Sequence, residues 1–215
     1  MKAEKVMTIG LVGGGTVGGG IVEILSGKAD FLKSQLGVEL NIKSIVVSDP
    51  NKPRDFQLPA GCELTGDANA VISDPDIDMV VEVMGGTSLA KEVVTKSLQA
   101  GKHVVTANKA LIAQDLPAIS ALVDSVNKES DEPVQFGFEA AVCGGIPIIH
   151  ALQRDFLGDE VQQLSGIING CTNFILSNMA MGGTRQAYSY VARAHMPIRP
   201  HARAHMRARR STKLL

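Results

Sequence analysis

No tryptophan occurs in these 215 residues, and aromatic side chains make up only 4% of them. Because 45% of the residues are hydrophobic, a core is affordable, but it must be aliphatic. The length allows one large domain or one and a half ordinary ones. Cysteine is scarce: Cys62, Cys143 and Cys171 stand far apart, and no C-x-x-C pair exists. That excludes the usual zinc-ligand spacings and a disulfide framework. No apolar run approaches the roughly 20 residues that span a bilayer. The opening "MKAEKVMTIGLVGGG" passes from a short apolar stretch into glycines, unlike a secretory signal. These absences lead us to expect a soluble, cytoplasmic protein with no membrane partner.

Acidic residues are missing from one region only. From Thr184 to Leu215 there are seven Arg, one Lys and no acid, a charge of +8. The preceding 183 residues hold 13 basic and 22 acidic side chains, a charge of -9, within a total of -1. Such a body offers no basic stripe for nucleic acid.

Glycine, by contrast, is abundant, at 22 residues. "MTIGLV" (7–12) is a short apolar run suited to a buried parallel strand. "GGGTVG" (13–18) follows and fits G-x-G-x-x-G. Then "TVGGGIVEILSG" places Val17, Ile21, Ile24 and Leu25 at helical spacing. Strand, glycine turn and helix are the context that a dinucleotide fingerprint requires. Gly13 allows the tight turn, Gly15 lets backbone approach a pyrophosphate, and Gly18 lets helix and strand pack closely. The helix N-terminus, with Gly14, Thr16 and Val17 beside it, offers N–H groups to phosphate. Gly19 and Gly20 have no function in this scheme beyond close approach.

The alternation continues. "LNIKSIVVS" (40–48), "IDMVVEVM" (77–84) and "KHVVTA" (102–107) read as strands. "SLAKEVVTKSLQAG" (88–101) and "LPAISALVDSVNKES" (116–130) read as helices, the first ending on a glycine cap. The fold class is therefore α/β, a Rossmann-type doubly wound parallel sheet, followed by the beginning of an α+β substrate domain. Ligands in such sheets sit at the carboxyl ends of the strands, here "GGGTVG", "SDPNKPR", "GGTS" with Thr87, and "ANKA" with Lys109. Asp49 is the best match to the acid that binds a ribose hydroxyl, or else part of a solvated turn. Lys52 and Arg54 follow and suit a 2′-phosphate, so NAD and NADP both stay open. Lys109 can serve cofactor or anionic substrate as a mobile point charge, or be a surface lysine. Asn108 can cap the helix after it.

"HVVTANKALIA" (103–113), "EVMGGTS" (82–88), "FGFEAAVCGGIPIIHAL" (136–152) and "GIINGCTNFILSNM" (166–179) together resemble homoserine dehydrogenase, with the motifs in the same order. The resemblance implies reversible reduction of L-aspartate 4-semialdehyde to L-homoserine with NADH or NADPH, in threonine, methionine and isoleucine biosynthesis. It puts Lys109 between nicotinamide and substrate. Glu139, with the carbonyls of Val142, Gly144 and Ile146, would bind a sodium ion. The residue-level alternative for Glu139 is a favourable acid at a helix start. Pro147 suits the first turn of the helix "IPIIHALQR", and "VQQLSGIING" reads as a strand. Substrate contacts fall on Asn169, Gly170 and Cys171. The family pattern there is N-G-T-[TC]-N, whereas this chain has Asn169-Gly170-Cys171-Thr172-Asn173. A thiol is a weaker hydrogen-bonding group than a hydroxyl. Members of the family are homodimers or tetramers. The domains implied are a cofactor domain over 1–135, the start of a catalytic domain over 136–183, and a basic tail over 184–215.

The family's proton-donating lysine and its aspartate belong to a segment that has no counterpart here. In its place stands "TRQAYSYVARAHMPIRPHARAHMRARRSTKLL", in which "ARAHM" occurs at 192 and again at 202. The composition changes abruptly at Gly183, as translation in a shifted frame of a GC-rich gene would produce. The competing expectation is a genuine basic arm for nucleic acid on a non-catalytic dinucleotide-binding module.

Overall fold

The computed structural model describes residues 5–163, 165–166 and 169–180. Six parallel strands form one sheet in the order β3-β2-β1-β4-β5-β6. They are β1 (Val6–Val12), β2 (Glu39–Val46), β3 (Glu63–Thr65), β4 (Met79–Glu82), β5 (His103–Thr106) and β6 (Phe136–Gly137). Between them run α1 (Thr16–Gly27), α2 (Ala29–Leu36), α3 (Ala68–Ile72), α4 (Ser88–Gln99) and α5 (Lys109–Lys128).

Successive strand residues feed two aliphatic cores. Val12, Val46, Val80 and Val104 pack with Val93, Leu98, Leu111 and Ile119 of α4 and α5 on one face. Ile9, Leu11, Ile45 and Val81 pack with Val22 of α1 on the other. Both faces of the sheet are thus buried, which is why its strands read as unbroken apolar runs rather than alternating ones. After β3 the chain returns to the other side of β1 and lays β4 there. The strand order reverses between β1 and β4, and the crevice outside their carboxyl ends is where such sheets bind ligands.

Several boundaries differ from those expected. The stretch "SGKADFLKSQLGV" contains a separate helix, α2, which Gly37 ends in the left-handed conformation at φ 67. The helix expected at 116–130 starts earlier, at Lys109, and carries Pro117 in its interior. A proline there forfeits one helical bond. The start is nevertheless anchored at Asn108, whose Oδ1 accepts from the Leu111 N–H at 3.1 Å. β6 pairs with β5, and by compactness the first unit runs to Ile146.

The second unit begins at Pro147. Pro147 caps rather than enters α6 (Ile148–His150), which continues as a wide π turn over Ala151–Asp155. α7 spans Gly170–Ala180. The strand expected over 161–170 includes residues that lie outside the described ones. Leu164, Ile167, Ile168 and the basic tail lie outside the described residues. No described helix is long and apolar enough to cross a membrane.

Candidate functional site

The turn between β1 and α1 is built from glycines with different tasks. Gly13 adopts φ 120, and its N–H donates to the Val46 carbonyl at 2.9 Å. A Cβ on Gly13 would lie 2.8 Å from the carbonyl carbon and oxygen of Val83. A Cβ on Gly18 would stand 1.9 Å from the Gly13 oxygen, so α1 sits directly on the turn. Gly14 is buried against Val47. Gly19 faces the Phe56 ring, 2.9 Å from where its Cβ would be, which accounts for this extra glycine. Gly20 has open space around it, and nothing in the structure explains it.

Gly15 is different. It caps α1, and no atom lies within 4 Å of its would-be Cβ. No side chain caps the helix there, and its first turn contains no acid. The α1 N-terminus thus has no side-chain cap and opens onto free space beside exposed Thr16 and Val17, and a terminus of this kind can bind an anion.

At the end of β2, Asp49 is exposed and accepts from the Asn51 N–H at 2.9 Å, bracing its own turn. Arg54 crosses back over this turn. Its Nη2 donates to the Asp49 carbonyl at 2.5 Å and its Nη1 to the Gly14 carbonyl at 3.2 Å. Its Nε is buried with no hydrogen-bond partner among the described residues. A guanidinium is therefore held beside the glycine turn, while Lys52 is exposed nearby.

The loops after β4 and β5 complete this edge. Thr87 caps α4, and its carbonyl accepts from Lys91 N–H at 2.8 Å. Lys109 is the first residue of α5 and is exposed. Beneath them lies a group the motif reading passed over. Glu82, last in β4, is fully buried. Its Oε1 accepts from the Met84 N–H at 2.9 Å and its Oε2 from the Thr106 hydroxyl at 2.5 Å. Burial pushes its carboxyl above the ordinary value, against hydrogen bonds from Thr106, Met84 and Asn108 that pull it down. The available signal was an acid closing an otherwise apolar central strand.

Glu139 opens a 3-10 turn directly after β6 and is half-buried. Cys143 and Gly144 are both left-handed, at φ 56 and 61. This is uncommon for a residue with a side chain. Among the described residues, bonds within this turn use the carbonyls of Phe138, Glu139 and Cys143, not those of Val142 or Gly144. No cluster of three or more His, Cys, Asp or Glu that could hold a metal occurs among the described residues. In the second unit, Asn169 Oδ1 accepts from Thr172 N–H at 2.8 Å and caps α7. Gly170 and Cys171 occupy the first turn of that helix, with Cys171 exposed. The cofactor candidates thus share one sheet edge in the first unit, and the substrate candidates share one helix start in the second.

Residues 13–132 match the family model for the NAD binding domain of homoserine dehydrogenase. Residues 147–196 match the model for homoserine dehydrogenase itself, reaching beyond the compositional break at Gly183. The chain is 42% identical to a homoserine dehydrogenase of Corynebacterium glutamicum over 181 residues, covering 84% of this chain and 39% of that protein. A crystal structure of a homoserine dehydrogenase from Thiobacillus denitrificans superposes with a TM-score of 0.77 at 39% identity, covering 88% of this chain and 42% of that one. A hyperthermophilic archaeal homoserine dehydrogenase in complex with NADPH shares the fold, with a TM-score of 0.66 at 24% identity over 86% of this chain and 60% of that one. The chain therefore spans about two fifths of the length of the curated relatives it matches. With more than half of its residues under the NAD-binding model, the chain belongs to the homoserine dehydrogenase family.

Proposed function

We propose that the first unit binds NAD or NADP across the carboxyl ends of β1, β2, β4 and β5. The chain then carries the cofactor half of the reversible reduction of L-aspartate 4-semialdehyde to L-homoserine. The observation that supports this most directly is the open space at Gly15, framed by an α1 terminus without a side-chain cap. Backbone N–H groups of Gly14 to Val17 would bind the pyrophosphate, and Gly13 and Gly18 keep the turn tight enough to present them. Asp49 would accept from the ribose. Thr87 and Lys109 would flank the nicotinamide, which supplies or accepts the hydride when bound. Glu139 and the carbonyls of Val142, Gly144 and Ile146 would hold sodium, a donor set of one carboxylate and neutral oxygens that suits a hard cation. Asn169, Gly170 and Cys171 would meet the substrate. We assign 1–135 to the cofactor domain, 136–183 to the start of the catalytic domain, and 184–215 to an aberrant basic tail.

Titration of the purified 215-residue chain with NADH and NADPH, with a semialdehyde-reduction assay alongside, tests this. The expected result is saturable cofactor binding with little or no turnover. These residues contain no match to the family's lysine and aspartate proton-transfer segment. Rapid NADPH-dependent reduction would overturn the second expectation, and absence of binding the first.

Arg54 provides a sharper test of cofactor choice. Its guanidinium already bridges the Gly14 and Asp49 carbonyls, and on the dinucleotide reading a 2′-substituent would project toward it. Charge-assisted contacts to phosphate are strong. Arg54→Ala is expected to weaken NADPH binding by about tenfold, as loss of one such contact implies, and to leave NADH unchanged. Equal effects on both would assign Arg54 to the turn alone.

A further inference from the structure

We infer that Glu82 is a positioning residue, a buried clamp that ties the loop after β4 to the loop after β5 and so sets Thr87 and Lys109 across the nicotinamide end of the site. The inference rests on the dinucleotide reading above. A ribose acid after β2 places the adenosine half on that side of the switch point, so the nicotinamide half falls over β4 and β5.

The bonds form a closed circuit. Glu82 Oε1 takes the Met84 N–H, and Oε2 takes the Thr106 hydroxyl. Thr106 Oγ1 in turn accepts from the Asn108 N–H at 3.0 Å. Asn108 Nδ2 donates to the Gly86 carbonyl at 2.7 Å, returning to the loop where Glu82 began. Asn108 Oδ1 caps α5, whose first residue is Lys109. The Ala107 N–H donates to the Glu82 main-chain carbonyl at 3.1 Å. One carboxylate therefore reaches both the residues before Thr87 and the residue before Lys109.

The circuit also suits the residue type. The Thr106 oxygen accepts from the Asn108 N–H and gives its own proton to Glu82. Met84 presents a donor as well. Both carboxylate oxygens face donors, which an acceptor-only group satisfies together. A glutamine would turn an NH2 toward one of them. Met84 and Thr87 are half-buried, and Gly85 and Gly86 are exposed.

The test compares ligands with and without nicotinamide. NADPH and 2′,5′-ADP, and NADH and ADP, are titrated by calorimetry into the wild-type chain, Glu82→Gln, Thr106→Val and Thr106→Ser. Glu82→Gln and Thr106→Val should weaken the nicotinamide-bearing ligands by about tenfold, the scale of one charge-assisted hydrogen bond. The nicotinamide-free ligands should bind all four chains alike, and Thr106→Ser should restore wild-type behaviour. Parallel loss for both ligand types, or no loss for either, would overturn the clamp. Amide exchange without ligand decides it independently. Glu82→Gln should speed exchange at Met84 and Asn108 while Leu11 and Val80 keep their protection, and unchanged protection at Met84 and Asn108 overturns the inference. A wild-type chain that binds none of the ligands counts against the dinucleotide reading, and the exchange result then still settles the clamp.

Discussion

Gly18→Ala should destabilise the first unit by about 3 kcal/mol, the upper range for forcing an atom into a packed interior. The added methyl would stand 1.9 Å from the Gly13 oxygen and 2.9 Å from its carbonyl carbon. That backbone has little freedom to yield. The Gly13 N–H is bonded to β2 through Val46, and the Val83 carbonyl closes the space beside it, 2.8 Å from where a Cβ would be. Alanine's better helix propensity returns only about 1 kcal/mol. Gly15→Ala makes the informative contrast, because its φ of -85 accommodates any residue and its Cβ meets nothing. Its stability should change by less than about 0.5 kcal/mol, as at other unpacked positions. The methyl would occupy the space assigned to the pyrophosphate, so cofactor affinity should fall by about tenfold, or 1.4 kcal/mol. Chemical denaturation and cofactor titration of both variants separate the two roles. A Gly15→Ala chain that binds cofactor like wild type would remove the phosphate from that position.

The glycine turn was legible in the sequence because each of its tasks is local. The spacing 13, 15, 18 after a strand and before a helix already implies the turn, the opening and the close contact. The two-sided sheet was legible too, since strands buried on both faces leave apolar runs without alternation. Short elements were not. β3 has three residues and α3 five, too few for a period to register. The true start of α5 was hidden by Pro117, whose local cost is outweighed by the Asn108 cap and by burial of Leu111, Ile112 and Ile119. Phe56 on Gly19 and the Glu82 circuit join residues many positions apart, and no spacing rule announces such pairs. The family match reaching residue 196 also presses on the expected break at Gly183. Sequencing the gene across codon 183 decides it: a frame without insertion or deletion there would sink the shifted-frame explanation.

Two lysines at the opposite edge of the sheet carry equal charge and should differ greatly in effect. Lys102, just before β5, is only 5% exposed. Its ammonium donates to the main-chain carbonyls of Asp74 at 2.5 Å and Ile77 at 2.7 Å, fastening the segment that leads into β4. Lys102→Met keeps the length and packing of the side chain but strands the Ile77 carbonyl, while the Asp74 carbonyl keeps the Ile77 N–H at 3.2 Å. The expected loss is about 2 kcal/mol, the scale for losing hydrogen bonds from a charged donor with one partner left unsatisfied. Lys43 reaches Asp74 and Asp76 from the surface, and Lys43→Met should change stability little, because solvent screens such pairs. The pH dependence gives a second handle. Burial holds the Lys102 ammonium below its ordinary 10.5, with Asp74 and Asp78 pulling the other way. Between its folded value and 10.5 the unfolded chain binds more protons than the folded one, so this group adds stability as pH rises. The gap between wild type and Lys102→Met should therefore widen as denaturation is measured at pH values climbing toward 10.5. A gap that narrows over that range would mean the ammonium is stabilised rather than penalised where it sits.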